Sequence, residues 1–282
     1  MAVTRRTAIL GGAGVAVVGA GAAAIATLSG DDKPGAVQVP PPSGTSTSGG
    51  ATTWTAKPGP VKLMSKARGR EVTVITMAPD GHNPDDLPRC VALHGRGGDA
   101  NWMVALGVEK FLTDLVRAGG APFAVISVDG GTESYWVDGK PGDNPQGMLL
   151  NELGPIKAAF GISMGAFGSL RFARSRRDLK AVAAISPALF RDWPTAKSKR
   201  VFADQKHWEA NEPLRHIDEI AGVPLGVWCG ASDPFITVAK AFVNQAHPVT
   251  SSITPGAHDN AYWTRVLPEV LRFVGERISR AG

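Results

Sequence analysis

Ser163, Asp233 and His258 are of the residue types that nucleophilic acyl chemistry requires. A serine hydroxyl attacks a carbonyl when an imidazole takes its proton. The imidazole does this when a carboxylate fixes its tautomer and stabilises the imidazolium. Ser163 sits in Gly161-Ile162-Ser163-Met164-Gly165, the spacing of a nucleophile elbow, in which a strand turns sharply into a helix and exposes the serine. A side chain at either flanking glycine would collide with the adjoining strand or helix, because the turn is tight and its backbone strained.

The flanking residues fit such a turn. Lys157-Ala158-Ala159-Phe160 is a short apolar run of strand type that follows the Gly154-Pro155 breaker. Residues 166–173 have helical character, with Phe167, Leu170 and Ala173 on one face. Ala181-Val182-Ala183-Ala184-Ile185 then reads as a second buried strand, which completes a βαβ unit with the serine at the carboxyl edge of a parallel sheet. Val223 to Gly230 is another buried strand, and Asp233 lies just past it in Ser232-Asp233-Pro234-Phe235. A last strand over residues 249–253 leads to Gly256-Ala257-His258-Asp259, and a helix over 261–278 follows. The chain order serine, acid, histidine is that of α/β-hydrolases and differs from the chymotrypsin and subtilisin orders.

Arg89 to Leu93 is a buried strand running into His94-Gly95-Arg96-Gly97-Gly98. A glycine-rich turn at this place lends one backbone N–H to an oxyanion hole, and the residue after the nucleophile lends the other, which assigns the donors to Arg96 and Met164. His94 reads as a structural histidine bonded across the turn. His82, His207, His216 and His247 read as solvated surface, and Asp259 as the cap of the final helix.

These motifs together resemble the esterase family of α/β-hydrolases that contains esterase D (S-formylglutathione hydrolase), feruloyl esterases and the antigen 85 group of mycolyltransferases. The residues carrying the resemblance are His94-Gly95, the elbow, Ala184-Ile185-Ser186-Pro187-Ala188, Asp233-Pro234-Phe235 and Gly256-Ala257-His258-Asp259 with Trp263, and it spans residues 62–279. It implies a mostly parallel central sheet flanked by helices with little or no lid. It also implies Ser163, Asp233 and His258 as a triad acting without cofactor or metal. Gly95, Tyr135, Trp136 and Phe235 are expected around the substrate pocket. Tyr135 and Trp136 either contact an acyl chain or cover the sheet edge. Two departures from the family pattern stand out, a short helix before the elbow strand and reduced first strands. Residues 190–211, with Trp193, Phe202 and Trp208, form the one cap candidate, which favours short acyl groups.

The 282 residues suffice for one large domain, and a hydrophobic content of 43% is ordinary for a soluble protein. The net charge of +5 comes from scattered arginines and lysines with no basic stripe, which argues against nucleic-acid binding. Arg174, Arg176 and Arg177 read as solvated. Arg5-Arg6 before the weakly apolar residues 8–28 resembles a twin-arginine export signal, either cleaved or kept as a membrane anchor. Residues 29–59, rich in Pro, Gly, Ser and Thr, read as a flexible linker, with the catalytic domain from residue 60 onward. Cys90 and Cys229 fall on strands three intervals apart, about 14 Å at ~4.8 Å per interval, too far for a disulfide. The expected partner is a small-molecule or lipid ester, and the expected location is outside the cytoplasm or in the cell envelope. Three functions fit: an exported carboxylesterase, an acyltransferase to a carbohydrate, and a surface-binding protein that keeps only the fold.

Overall fold

The computed structural model describes residues 59–279. The expectations for residues 1–28 and for the linker up to residue 58 lie outside the described residues. Eight strands form one sheet: β1 (Val61–Ser65), β2 (Arg70–Met77), β3 (Arg89–Leu93), β4 (Ala124–Val128), β5 (Ile156–Ile162), β6 (Ala181–Ile185), β7 (Leu225–Gly230) and β8 (Thr250–Thr254). Their spatial order is β1-β2-β4-β3-β5-β6-β7-β8. β2 runs antiparallel to both its neighbours, and every other pairing is parallel.

The sequence explains this layout. β4 and β6 are buried at every residue and apolar throughout except for Ser127, whose hydroxyl donates to the Ala100 carbonyl, as suits strands covered on both faces. β8 alternates between half-buried and exposed residues, and β1 is mostly exposed, as befits the two edges. β1 spans five residues and β2 eight.

The helices are α1 (Trp102–Ala105), α2 (Val108–Arg117), α3 (Pro145–Asn151), α4 (Met164–Ser175), α5 (Trp193–Lys197), α6 (Gln205–Asn211), α7 (Ile236–Ala246) and α8 (Asn260–Ile278). α1, α2 and α8 share one apolar core with a face of the sheet, through Met103, Leu112, Leu267 and Val274. α3, α4 and α7 share the other, through Leu149, Phe167, Leu170 and Phe242. The helix before the elbow strand is indeed short, the seven residues of α3. From β3 the chain moves outward to β4, then returns past β3 to β5. That reversal opens a crevice at the carboxyl ends of β3 and β5, the place where open α/β sheets bind ligands.

Cys90 and Cys229 are buried free thiols on β3 and β7, with β5 and β6 between them.

Candidate active site

Ser163 links β5 to α4 with φ 56° and ψ −114°, a conformation that costs a non-glycine residue strain energy. The neighbouring glycines make it possible. A Cβ on Gly161 would lie 2.1 Å from the Gly165 carbonyl oxygen, and one on Gly165 would lie 1.9 Å from that of Leu93 on β3. Neither contact leaves room for a methyl group.

The loops after β7 and β8 bring Asp233 and His258 to the same edge. His258 Nδ1 lies 2.8 Å from Asp233 Oδ2, and His258 Nε2 lies 2.8 Å from Ser163 Oγ. A carboxylate can only accept, so Nδ1 carries the proton and Nε2 is left to accept from the serine hydroxyl. The Asp233 side chain is wholly buried, whereas that of His258 retains 14% exposure. Burial pushes the Asp233 carboxyl up. The opposing bonds from His258, the Phe235 N–H and the Ser186 hydroxyl outweigh it and hold the group below the usual carboxylate range. The imidazole stands between two aromatic rings, Phe235 at 5.3 Å and Trp263 at 5.1 Å between centroids. Asp259 takes no part in this array. Its side chain accepts from the Tyr262 N–H and caps α8.

Arg96 and Met164 follow β3 and Ser163 respectively. Among the described residues neither N–H has an acceptor within the protein, so both are available to a ligand oxygen. The loop that carries Arg96 is held from below. His94 is fully buried, and burial lowers its pKa, so the ring is neutral. Its Nδ1–H donates to the Gly95 carbonyl at 2.9 Å, and its Nε2 accepts the Gly130 N–H at 3.0 Å. One neutral imidazole thereby ties the loop after β3 to the loop after β4. Arg68 adds to this tie, donating to the carbonyls of Asp129 and Gly130 while paired with Asp143.

At the level of sequence the chain matches no family model and no curated protein. Solved structures do match. One is a ferulic acid esterase, 20% identical with a TM-score of 0.67, covering 78% of this chain and 97% of that one. Another is an S-formylglutathione hydrolase from Agrobacterium tumefaciens, 16% identical with a TM-score of 0.64, covering 81% and 99%. A third is FphF, a fluorophosphonate-binding serine hydrolase of Staphylococcus aureus, 18% identical with a TM-score of 0.58, covering 76% and 96%. The chain has the α/β-hydrolase fold.

Around this α/β-hydrolase site the structure departs from the sequence reading in several places. Trp136 does not wall a pocket. It is fully buried, with its Nε1–H donating to the His94 carbonyl and its ring filling the space beside Gly130 and Gly168. Tyr135 and Trp136 both have positive φ, 50° and 57°, so the chain turns both rings inward instead of alternating them. Tyr135 packs among Phe167, Phe190 and Phe202, with 3% of its surface exposed. Gly95 is buried under the Trp102 ring. Phe235 is half-buried between His258 and Phe190, which puts it beside the candidate base.

His207 and His216 are half-buried rather than solvated. His207 Nδ1 accepts from the Ala203 N–H, and His216 bonds Glu219 and the Glu209 carbonyl. Arg174 is half-buried rather than solvated and binds Glu219 and the Ala210 carbonyl, tying α4 to the segment between β6 and β7. Arg177, just past α4, is exposed as expected and donates to the carbonyls of Glu219 and Asp218. Arg176 pairs with Asp178 and donates to the Ile156 carbonyl.

Sequence reasoning missed Ser186 as a positioning residue. It is buried with φ 48° just past β6, and its hydroxyl accepts from Trp263 Nε1 at 3.0 Å while facing Asp233. A Ser-Pro pair closing a buried strand was the available signal.

Proposed function

We propose that this chain is a serine carboxylesterase that hydrolyses short-chain acyl esters through an acyl-enzyme intermediate. The observation that carries this reading is the continuous Asp233–His258–Ser163 hydrogen-bond chain, with both links at 2.8 Å. Its electrostatics suit the role. Asp233 is buried and held ionised, so it favours the imidazolium that forms when His258 accepts the serine proton.

In this mechanism the Ser163 oxygen attacks the ester carbonyl as its proton passes to His258 Nε2. The tetrahedral oxyanion is met by the Arg96 and Met164 N–H groups, each worth about 3–4 kcal/mol in such sites. Collapse expels the alcohol, which takes the proton from His258 and leaves an acyl group on Ser163. A water molecule then gives its proton to His258, attacks the acyl carbonyl and releases the acid and free serine. No step calls for a cofactor. The rings of Tyr135, Phe167, Phe190 and Phe202 pack on one another next to Phe235, which supports a short acyl group over a long one. Export through the arginine pair of residues 5 and 6 belongs to the same proposal, and rests on the sequence alone.

The test is turnover of p-nitrophenyl esters of graded chain length by purified protein, with and without trehalose. The reading expects greatest activity from about C2 to C8 and a release rate independent of the sugar. A preference for C16 esters, or acyl-trehalose as the main product, would replace hydrolysis with lipid acyl transfer. A folded protein inert toward every ester would indicate a binding protein.

A further inference from the structure

The segment between β6 and β7 holds a cation that no carboxylate among the described residues pairs. Lys199 lies just after α5 and is half-buried, and its ammonium stands 5.8 Å from the centroid of the Phe190 ring. Among the described residues no carboxylate pairs with it. Burial lowers the Lys199 pKa, and the field of the Arg96 guanidinium lowers it further. Of the acids of this neighbourhood, Glu133 is already engaged by Arg96 at 2.6 Å, and Glu212 is fully buried and accepts from the Phe190 N–H. A half-desolvated ammonium beside a second cation is unfavourable unless an anion joins them, and the Phe190 ring face compensates only in part.

The position of this pair gives it a meaning. Arg96 is the residue whose backbone N–H is assigned to the oxyanion hole, so its side chain begins at the reacting carbonyl. Phe190, on which Lys199 rests, contacts Phe235 at 6.4 Å, and Phe235 contacts His258 at 5.3 Å. The Arg96 charge also reaches Tyr135, which packs on the other flank of Phe190 at 5.4 Å. The two cations therefore border the same ring cluster that leads to the candidate base.

We infer that Lys199, with Arg96, recognises an anionic group on the substrate, a carboxylate carried a few bonds from the ester on its acyl or its alcohol side. This rests on the esterase reading and narrows it to esters of acidic molecules. Lys199 is a specificity-determining residue: it binds a part of the substrate that does not react. Its apolar stem covers the Phe190 ring while the charged end meets the carboxylate.

The experiment compares matched anionic and neutral esters. On the acyl side the pair is p-nitrophenyl hydrogen adipate and its methyl ester. On the alcohol side it is p-acetoxybenzoate and its methyl ester. At low salt the wild-type protein should favour the anion in one of the two pairs by roughly five- to twenty-fold in kcat/KM, and added salt should reduce that preference. Lys199→Met, which keeps the stem on Phe190, should bring the ratio near one, and Lys199→Arg should keep it. Lys197→Met, an exposed lysine two residues away, should leave the ratio unchanged. Equal rates on charged and neutral partners in both pairs would overturn the inference while the esterase reading stands. A preference that survives Lys199→Met would overturn the assignment to this residue. No turnover of any of the four esters would remove the esterase reading, and the inference with it.

Discussion

Two regions meet at Phe190, and they are built on different principles. The strand ends that carry Ser163, Asp233 and His258 are fixed by backbone packed on backbone, with the 1.9 Å and 2.1 Å clearances at Gly165 and Gly161 as the extreme cases. The segment between β6 and β7 is fixed by side chains. Its centre is Glu212, a fully buried carboxyl that accepts from the Phe190 N–H, the Leu214 N–H and Trp208 Nε1. Around it Arg174 reaches across from α4 and Arg177 from the turn after it, and the Arg215 guanidinium lies over the Trp208 ring at 4.5 Å. The first kind of construction tolerates no adjustment. The second depends on the protonation of the buried Glu212.

The largest effect should come from breaking the backbone contact. Gly165→Ala forces a methyl group into the Leu93 carbonyl, and it should cost at least about 3 kcal/mol or prevent folding. Thermal unfolding followed by circular dichroism measures this, and a normal melting temperature would show that the elbow has slack the structure does not suggest. Next in size is the acid. Asp233→Asn should lower kcat by about 10⁴-fold with little change in KM, while Asp259→Asn keeps an oxygen that accepts the Tyr262 N–H and caps α8, so it should change neither kcat nor stability by much. If Asp259→Asn proves the more damaging to kcat, the carboxylate comes from the last turn and the assignment of Asp233 fails.

Glu212 sharpens the comparison by its pH dependence. Burial raises its pKa to about 8, partly opposed by the bonds it accepts. The folded state therefore holds a proton that the unfolded chain has released. Stability from this group is complete below its ordinary value near 4.5 and is lost as pH rises through about 8. Glu212→Gln mimics the protonated form, so its melting temperature should decline less than that of wild type between pH 5 and pH 9. Parallel curves would mean that Glu212 does not titrate in this range. The smallest effect belongs to Arg174→Gln. Its partner Glu219 is half exposed, so the loss should stay under about 1 kcal/mol.

The sheet-edge region was legible in the sequence because its signals are local. Paired glycines around Ser163, an acid just past a buried strand and a histidine after the last strand each declare themselves within a few residues. The side-chain region was not. Ser186 acquires its role from Trp263, 77 residues away, and Phe190 and Glu212 are joined over 22 residues without any periodic pattern. Trp136 illustrates the same limit. Two successive residues of positive φ turned it into the core, and nothing in a Tyr-Trp pair announces that geometry. The arginines after the elbow helix read as surface because charge alone does not show which carbonyls lie within reach.

The central claim is that Ser163 is the nucleophile, and active-site labelling with a fluorophosphonate tests it most directly. The folded protein should take up one phosphonyl group per chain. Peptide mass spectrometry should place that group on Ser163, and Ser163→Ala should abolish the adduct while His258→Ala slows it by orders of magnitude. A folded wild-type protein that stays unlabelled, or an adduct on another serine that persists in Ser163→Ala, would contradict the account.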